Sequence, residues 1–282
     1  MQVLTNINSI NQLLEKFRDS NKIIGFVPTM GALHEGHLSL VKLAQKDCDI
    51  VVCSIFINPT QFNDPNDLEN YPITIEEDIK LLEEQSCDIL FLPNVTEMYP
   101  RGLNTKQYLL NGIDKVLEGQ KRPGHFDGVC TIVHRLFSIV KPNTAYFGEK
   151  DFQQVAIIRQ IVNSLSLPIQ IKTGKTIREK DGLAKSSRNT LLKVSQRQKA
   201  AHVYASLQKI KSLFGKMECN QLKRMIRDEV KQIDDMQLDY LEIVNPHSFR
   251  PLQGKATNQE AIALIAVFLG KVRLIDNLSL ND

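Results

Sequence analysis

Two histidines, His34 and His37, lie three residues apart in the stretch GFVPTMGALHEGHLSL (25–40), which begins as an apolar run. This spacing would place both imidazoles on one side of a first helical turn. An imidazole can donate a hydrogen bond to a phosphate oxygen, and the N-terminus of a helix attracts phosphate through its unpaired N–H groups and its dipole. Gly31 and Gly36 would let the backbone approach an anion closely, so the stretch indicates a phosphate site. Spacing alone leaves open a histidine pair at the surface and a metal site, for which the sequence offers no evident third ligand.

A second cluster of charged residues is Gly148-Glu149-Lys150-Asp151, which follows the short apolar run 145–147. The lysine suits a phosphate, and the carboxylates can accept hydrogen bonds from hydroxyl groups. The alternative is a solvated charged cluster at a helix start, where acidic residues are common.

A third group, Ser186-Ser187-Arg188, supplies two hydroxyls and a guanidinium within a charged stretch of the chain. Together these groups could clamp a phosphate. The alternative is a solvated basic loop.

The elements that would position these groups alternate between short apolar runs and helical patterns, and several runs are apolar on both faces. Parallel strands covered by helices have this character, so the pattern predicts an α/β fold with a doubly wound, Rossmann-like parallel sheet. In such a sheet, ligands bind beyond the carboxyl ends of the strands. The predicted strands are 23–27, 50–57, 89–92, 145–147 and 169–171. The predicted helices are 75–85, 126–140 and 153–165. A capping box of Thr74 and Glu77 would open the first of these helices.

The pattern changes near residue 175, where helices are followed by strands instead of alternating with them. We therefore predict two domains, a Rossmann-like domain at 1–175 and a smaller C-terminal α+β domain at 176–282. The second domain would contain a helix opened by a capping box of Ser195 and Gln198. Its further predicted elements are a helix at 221–233 and strands at 238–244 and 261–269.

Composition narrows the class of protein. The chain has 282 residues and a formal net charge of +3, which indicates neither a nucleic-acid surface nor a polybasic membrane patch. Its longest apolar run, 261–269, is shorter than the ~20 residues of a membrane span, so we read it as a buried strand. The five cysteines form no C-x-x-C pair, and the N-terminus lacks the pattern of a signal peptide. We therefore expect a cytoplasmic protein.

Seven motifs, in order along most of the chain, give this sequence a close resemblance to the pantothenate synthetase (pantoate–β-alanine ligase) family. The H-x-G-H motif is shared with the wider nucleotidyltransferase superfamily, but the combination of motifs is more specific. The motifs are PTMGALHEGH (28–37), NPTQF (58–62), YPR (99–101), RPGHFDGV (122–129), GEKDFQQ (148–154), SSRN (186–189) and VRLIDN (272–277).

The resemblance implies an ATP-dependent ligase that joins (R)-pantoate to β-alanine through a pantoyl-adenylate, releasing AMP and pyrophosphate. It implies Mg²⁺ bound to the ATP phosphates, although the sequence does not identify metal ligands. It also implies a homodimer, and a C-terminal domain that acts as a lid over the nucleotide.

The resemblance also implies roles for individual residues. The catalytic residues would be His37, His34 and Lys150, with His37 following the negative charge onto the departing pyrophosphate. The implied ATP contacts are Met30, Gly31, Ala32, Leu33, His34, Glu35, Gly36, His37, Gly148, Glu149, Lys150, Asp151, Ile177, Lys185, Ser186, Ser187 and Arg188.

Gln61 and Gln154 would bind pantoate, and Asn58 is a weaker candidate for the same pocket. A glutamine amide both donates and accepts, so it can pair with hydroxyls and with a carboxylate. Each of these residues has an alternative interpretation as a turn or helix-surface residue. Lys185 departs from the family, which usually has an apolar residue there.

Two other functions fit parts of the sequence. An adenylyltransferase of the same superfamily would leave AMP on its product, but the SSRN loop and the paired glutamines argue against it. A nucleotide-sensing or RNA-binding relative of the tRNA synthetases is disfavoured by the low net charge and by an aromatic content of 6%.

Overall fold

The computed structural model describes residues 1–256 and 259–281. The chain divides into two compact units: Met1–Glu149 with Gln153–Lys175, and Lys150–Phe152 with the chain from Thr176 onwards. The assignment of nucleotide binding to 1–175 and of a lid to 176–282 stays a prediction.

The first unit is built on a six-stranded parallel sheet with the order β1-β4-β3-β2-β5-β6. Its strands are β1 (Gln2–Leu4), β2 (Ile24–Thr29), β3 (Ile50–Ile55), β4 (Ile89–Phe91), β5 (Thr144–Gly148) and β6 (Gln170–Gly174). The five predicted strands are confirmed with shifted ends, whereas β1 was missed because three residues carry too little pattern. The central strands β2 and β3 are almost entirely buried, as parallel strands covered on both faces must be.

Helices connect these strands. They are α1 (Ile7–Asp19), α2 (Glu35–Asp47), α3 (Pro65–Glu69), α4 (Ile75–Glu84), α5 (Val95–Met98), α6 (Leu117–Lys121), α7 (His125–Val140) and α8 (Phe152–Ser164). Because β2 lies between β3 and β5, the carboxyl ends of these three strands lie side by side. The segments that follow β2 and β3 carry the histidine pair and the NPTQF motif.

The second unit contains an antiparallel sheet of three strands in the order β7-β8-β9. Its elements are α9 (Val194–Leu213), α10 (Cys219–Val230), β7 (Met236–Val244), β8 (Ile262–Leu269) and β9 (Val272–Ser279). The predicted fold class is confirmed, including the smaller α+β part. The strand β9 was missed because its apolar run is interrupted by charged residues.

The long apolar run belongs to β8, whose residues are nearly all buried, so its interpretation as a strand is confirmed. Within residues 1–256 and 259–281, none of the helices is both long and apolar enough to cross a membrane.

Both predicted capping boxes are wrong, although helices begin near each of them. The Thr74 hydroxyl donates to the Asp78 carboxylate instead of accepting from the backbone. Ser195 lies inside α9, which begins one residue earlier with Lys193 as its N-cap, and the Gln196 side chain accepts the Lys193 N–H. In each case the predicted pair is replaced by another partner: Asp78 binds the Thr74 hydroxyl, and Gln196 binds the Lys193 N–H.

Candidate functional site

The turn after β2 has an unusual backbone. Gly31 and Ala32 adopt left-handed conformations with φ of +83° and +48°, which is costly for alanine. The N–H groups of Ala32 and Leu33 donate to the Asp78 carboxylate at 2.9 and 2.7 Å. Asp78, on α4, was not singled out from the sequence. Its only signal there is an acidic residue near a helix start, which is common and therefore uninformative.

The two histidines lie together at the start of α2. His34 is the N-cap residue, and its ring centroid lies 4.1 Å from that of His37 with an interplanar angle of 32°. The prediction that both rings lie on one side of the first turn is confirmed. The Nδ1 atom of His34 accepts the Gly36 N–H at 3.1 Å, and Nδ1 of His37 accepts the His34 N–H at 3.4 Å. In the neutral state, each ring therefore carries its proton on Nε2.

The remaining residues of this segment support the turn or border it. A side chain at Gly36 would come within 2.8 Å of the His34 ring, so glycine is needed for the ring to lie there. Glu35 begins α2 and places an acidic residue in its first turn. The Met30 sulfur accepts a hydrogen bond from Gln61 Nε2, which joins this segment to the one after β3.

A single 3₁₀ turn, Pro59–Gln61, follows β3, with Asn58 as its N-cap residue and Gln61 as its last residue. Asn58 is 1% exposed, and its Nδ2 donates to Gln61 Oε1 at 3.2 Å and to the Gly128 carbonyl at 3.1 Å. Its Oδ1 accepts from the Tyr99 hydroxyl at 2.6 Å and the Thr60 hydroxyl at 3.1 Å. Two donors and two acceptors satisfy the amide. Asn58 is therefore placed to orient Gln61 and has no spare capacity for a ligand.

The backbone of Gln61 is held from α7 as well. His125 Nδ1 lies 2.8 Å from the Gln61 carbonyl, and Arg122 Nη1 lies 3.1 Å from His125 Nε2. A carbonyl can only accept and a guanidinium can only donate. The neutral His125 therefore carries its proton on Nδ1, and its Nε2 accepts from the arginine.

The packing of α7 against the 3₁₀ turn depends on Gly128, and we expect Gly128→Ala to destabilise the protein by about 1–3 kcal/mol. An added Cβ would lie 2.3 Å from the Thr60 carbonyl oxygen and 2.6 Å from Gln61 Cα. Backbone atoms on both sides cannot move independently, so this clash outweighs the gain in helix propensity. Urea unfolding would measure the change.

Gly148→Ala is the matched control, because a Cβ there meets nothing within 4 Å. Equal stability of the two variants would contradict the inferred packing.

The two adjacent glutamines of α8 differ in what they do. Gln153 is buried, and its Nε2 donates to the carbonyls of Ile113 and Val116 while its Oε1 accepts the Glu118 N–H. Its amide therefore holds the backbone before and within α6. Gln154 is half-buried, and its side-chain amide has no hydrogen-bond partner among the described residues. Of the two, Gln154 is the one able to bind a ligand.

The 148–151 cluster follows β5, as predicted. Glu149 accepts a hydrogen bond from Thr173 at 3.0 Å. Within the second unit, Lys150 Nζ lies 3.8 Å from Asp151 Oδ1, and the Lys150 carbonyl accepts from Asn277 Nδ2 at 2.8 Å. The backbone of Lys150 is thus fixed by the VRLIDN motif.

The predicted phosphate clamp is also in the second unit. The Lys185 N–H donates to the Ile177 carbonyl at 2.9 Å, and Lys185 Nζ lies 3.1 Å from Glu179 Oε1. The Lys185 ammonium is therefore paired with a carboxylate of its own loop. Ser186 caps the 3₁₀ helix Ser187–Leu191 by accepting the Arg188 N–H at 3.3 Å.

A buried ion pair supports this loop. Arg178 donates to both oxygens of Asp276, at 2.6 and 3.1 Å, and its guanidinium lies 3.7 Å from the centre of the Tyr204 ring. Burial raises the pKa of the Asp276 carboxyl, and Arg178 partly opposes that rise. Sequence reasoning did not identify this pair.

Two other features bear on ligand binding. The described residues contain no group of three or more His, Cys, Asp or Glu side chains that could hold a metal ion. A cleft of about 730 Å³ lies near α1, α7 and the 99–108 segment, but none of the predicted site residues lines it.

Comparisons with known proteins match this chain over essentially its full length. The sequence profile of the pantoate–β-alanine ligase family matches residues 2–279. A pantothenate synthetase of Thermosipho melanesiensis is 46% identical, with 99% of each chain covered. One from Porphyromonas gingivalis is 42% identical with 100% of each covered.

Solved structures agree with this. Pantothenate synthetase from Thermus thermophilus superposes with a TM-score of 0.93 at 38% identity, covering 100% of both chains. The pantoate–β-alanine ligase of Francisella tularensis, complexed with β-γ ATP and β-alanine, superposes with a TM-score of 0.84 at 36% identity, covering 100% of this chain and 98% of that one. Because the family profile and these relatives span essentially the full length, this chain belongs to the pantoate–β-alanine ligase family.

Proposed function

We propose that this chain catalyses the ligase reaction of its family in two steps. In the first, a carboxylate oxygen of (R)-pantoate attacks the α-phosphorus of ATP, forming pantoyl-adenylate and expelling pyrophosphate. In the second, the amine of β-alanine attacks the acyl carbon, forming pantothenate and expelling AMP. Both bonds that break are bonds to phosphate groups, so catalysis needs hydrogen-bond donors and positive charge at those phosphates.

The observation that carries this proposal is the histidine pair at the carboxyl edge of the parallel sheet. Two stacked imidazoles, each accepting a backbone N–H through Nδ1, offer Nε2–H groups as donors. We assign His37 to the oxygen that gains charge as pyrophosphate leaves, and His34 to an adjacent phosphate oxygen. Because each neutral ring already carries its proton on Nε2, neither histidine has to change tautomer before it can donate to a phosphate oxygen.

The substrate acid would bind at the two glutamines. Gln61 is held by Asn58 through its Oε1 and by His125 through its carbonyl, so its orientation is fixed in advance. Gln154 supplies a second amide. Together they can pair with the hydroxyls and carboxylate of pantoate.

The second unit would supply the remaining nucleotide contacts. We assign Lys150 to a phosphate, Asp151 to the ribose hydroxyls, and Ser186, Ser187 and Arg188 to the triphosphate. A lid movement that excludes water would protect the reactive anhydride.

Mg²⁺ enters this proposal as a companion of ATP. It typically keeps several waters and is bound largely by the substrate phosphates, so few protein ligands are expected. When bound, it would neutralise phosphate charge.

The test is AMP release. We expect AMP to form only when pantoate, β-alanine and ATP are all present, together with one equivalent of pantothenate. Accumulation of a product that retains AMP would instead indicate an adenylyltransferase, which membership of the ligase family does not favour. AMP formation without pantoate would contradict the two-step scheme, because the pantoate carboxylate is the group that attacks ATP in the first step.

Two properties complete the proposal. The homodimer rests on resemblance to the family, and sedimentation velocity would test it. A cytoplasmic location is supported by five cysteines that are all free, because disulfides are rare in reducing compartments.

Replacing Gln61 by alanine should raise the KM for pantoate and lower kcat/KM for pantoate about 10–100-fold, the usual value of a hydrogen bond to a charged group. The KM for ATP should change little. Steady-state kinetics with each substrate varied in turn would measure both.

Gln237→Ala is the control, because Gln237 is exposed on β7. An unchanged KM and kcat for pantoate in folded Gln61→Ala would remove Gln61 from the pocket.

A further inference from the structure

Asp78 is a buried carboxylate to which the ligase reaction assigns no role. It is 1% exposed and lies in the first turn of α4. Burying a carboxylate is costly unless hydrogen bonds compensate it. Here three donors do so: the N–H groups of Ala32 and Leu33 and the hydroxyl of Thr74.

The segment that Asp78 holds could not easily keep its conformation alone. Gly31 and Ala32 are consecutive left-handed residues, and Ala32 is strained there. A Cβ at Gly31 would lie 3.0 Å from Asp78 Oδ2, so the glycine also makes room for the carboxylate. Charge-assisted hydrogen bonds are stronger than neutral ones, and two of them join this strained turn to α4.

The same turn sets the orientation of the histidines. His34 follows Leu33 directly, its N–H donates to His37 Nδ1, and its own Nδ1 accepts the Gly36 N–H. The direction of both rings, and the tautomer of each, therefore depends on where the backbone of 34–36 lies. Asp78 holds the residue immediately before that backbone.

Resting on the function proposed above, we infer that Asp78 is a positioning residue for the adenylation step: its carboxylate fixes the turn 31–33 and, through it, both imidazoles of His34 and His37. Asp78 itself does not contact the substrate in this scheme. The N–H groups of Ala32 and Leu33 accordingly serve the carboxylate, so these two residues would approach ATP by other atoms.

The central variant is Asp78→Asn. The two oxygens of the Asp78 carboxylate each accept a backbone N–H, whereas an asparagine amide has one accepting oxygen. Its NH₂ group would therefore face one of these N–H groups. We expect kcat/KM for ATP to fall about 10–100-fold, the loss typical of a hydrogen bond to a charged group or of a small misplacement of catalytic groups. Pantoate-dependent exchange of pyrophosphate into ATP would measure this step directly.

A spectroscopic measurement separates positioning from general stability. In wild-type protein, ring ¹⁵N correlations of His34 and His37 should show the Nε2–H tautomer, and Asp78→Asn should shift or average these signals. Asp49→Asn is the matched control, because Asp49 Oδ2 likewise accepts a backbone N–H, that of Ile23, beside the opposite end of β2. It should lose stability without altering the histidine signals.

A measurement on wild-type protein covers the case in which Asp78→Asn does not fold. The amides of Ala32 and Leu33 should exchange slowly with solvent in the absence of nucleotide. Fast exchange of both, or a folded Asp78→Asn with wild-type ring signals and ATP kinetics, would overturn the inference. If wild-type protein forms no AMP from pantoate and β-alanine, the proposed function fails, whereas the ring tautomers and amide exchange still test the role of Asp78.

Discussion

Replacing His37 with alanine should lower kcat about 10²–10³-fold, the usual loss when one preorganised transition-state donor is removed. His37 lies at the third position of α2 and stacks against His34. Its Nε2–H is the donor that we assign to the leaving pyrophosphate. Because this interaction strengthens as charge moves, the loss should fall on kcat more than on the KM for ATP.

The variant should remain folded. The ring accepts the backbone N–H of His34 at 3.4 Å, and loss of a helix-capping contact typically costs about 1 kcal/mol. AMP release at saturating substrates would measure kcat, and thermal unfolding would report the fold. His202→Ala is the control, because His202 is exposed on α9.

Two outcomes would count against this assignment. Near-normal kcat in folded His37→Ala would exclude His37 from the chemistry. A rise in the KM for ATP with kcat unchanged would mean that His37 binds ATP equally in the ground and transition states.

Sequence predicts those parts of the fold whose signals are local and periodic. Parallel strands such as Ile50–Ile55 are apolar along their whole length, because helices cover both faces. The histidine pair is equally local, since its geometry follows from three-residue spacing on one helical turn. The fold class and the placement of the His34 and His37 rings on one side of the first turn were therefore predictable.

The parts that escaped prediction depend on pairs distant in the chain. Asp78 is 45 and 46 residues from the N–H groups that it accepts, and no local pattern distinguishes it from the other acidic residues of the first turn of α4. The capping boxes failed for a different reason, because the bonds that replace them are local. The Thr74 hydroxyl donates to Asp78 four residues further on, and the side chain of Gln196 accepts the Lys193 N–H.

Asn58 shows why the role of a site residue could not be predicted from sequence alone. Its place in NPTQF suggested a substrate contact by resemblance, and its amide type allowed one. Its four hydrogen bonds to the surrounding protein come from residues up to 70 positions away. Only the assembled fold shows that its capacity is already used, which shifts its expected role from binding pantoate to orienting Gln61.

The largest effect on stability should come from Arg178→Met, which we expect to cost about 3–5 kcal/mol, as breaking a buried ion pair from one side usually does. The Asp276 side chain is 2% exposed and that of Arg178 is 18% exposed. Removing the guanidinium leaves the buried carboxylate without the cation that hydrogen-bonds it, so that Lys150 is the remaining positive charge known to lower its pKa. It also removes the cation over Tyr204. Urea unfolding at constant pH would measure the loss.

Arg197→Met is the matched control, because Arg197 also pairs through both nitrogens with an aspartate, Asp181. That pair has side chains 33% and 38% exposed, and exposed pairs contribute about 0–1 kcal/mol. Adding Asp276→Asn to Arg178→Met should restore part of the lost stability, since the uncompensated charge is then absent. If Arg178→Met were no less stable than Arg197→Met, the pair would not support the loop.

The pH dependence of the free energy of unfolding gives a second, independent test of the Arg178→Met prediction. Burial raises the pKa of Asp276 in the folded protein above its unfolded value, so the folded state binds a proton more tightly. Stability from this group is therefore greatest at low pH and falls as pH rises through the folded pKa. Without Arg178, which opposes that rise, the folded pKa should climb further. The destabilisation by Arg178→Met should then be smaller at about pH 5 than at about pH 7. A loss that did not grow with pH would mean that packing around the guanidinium, and not the charge of Asp276, accounts for the effect.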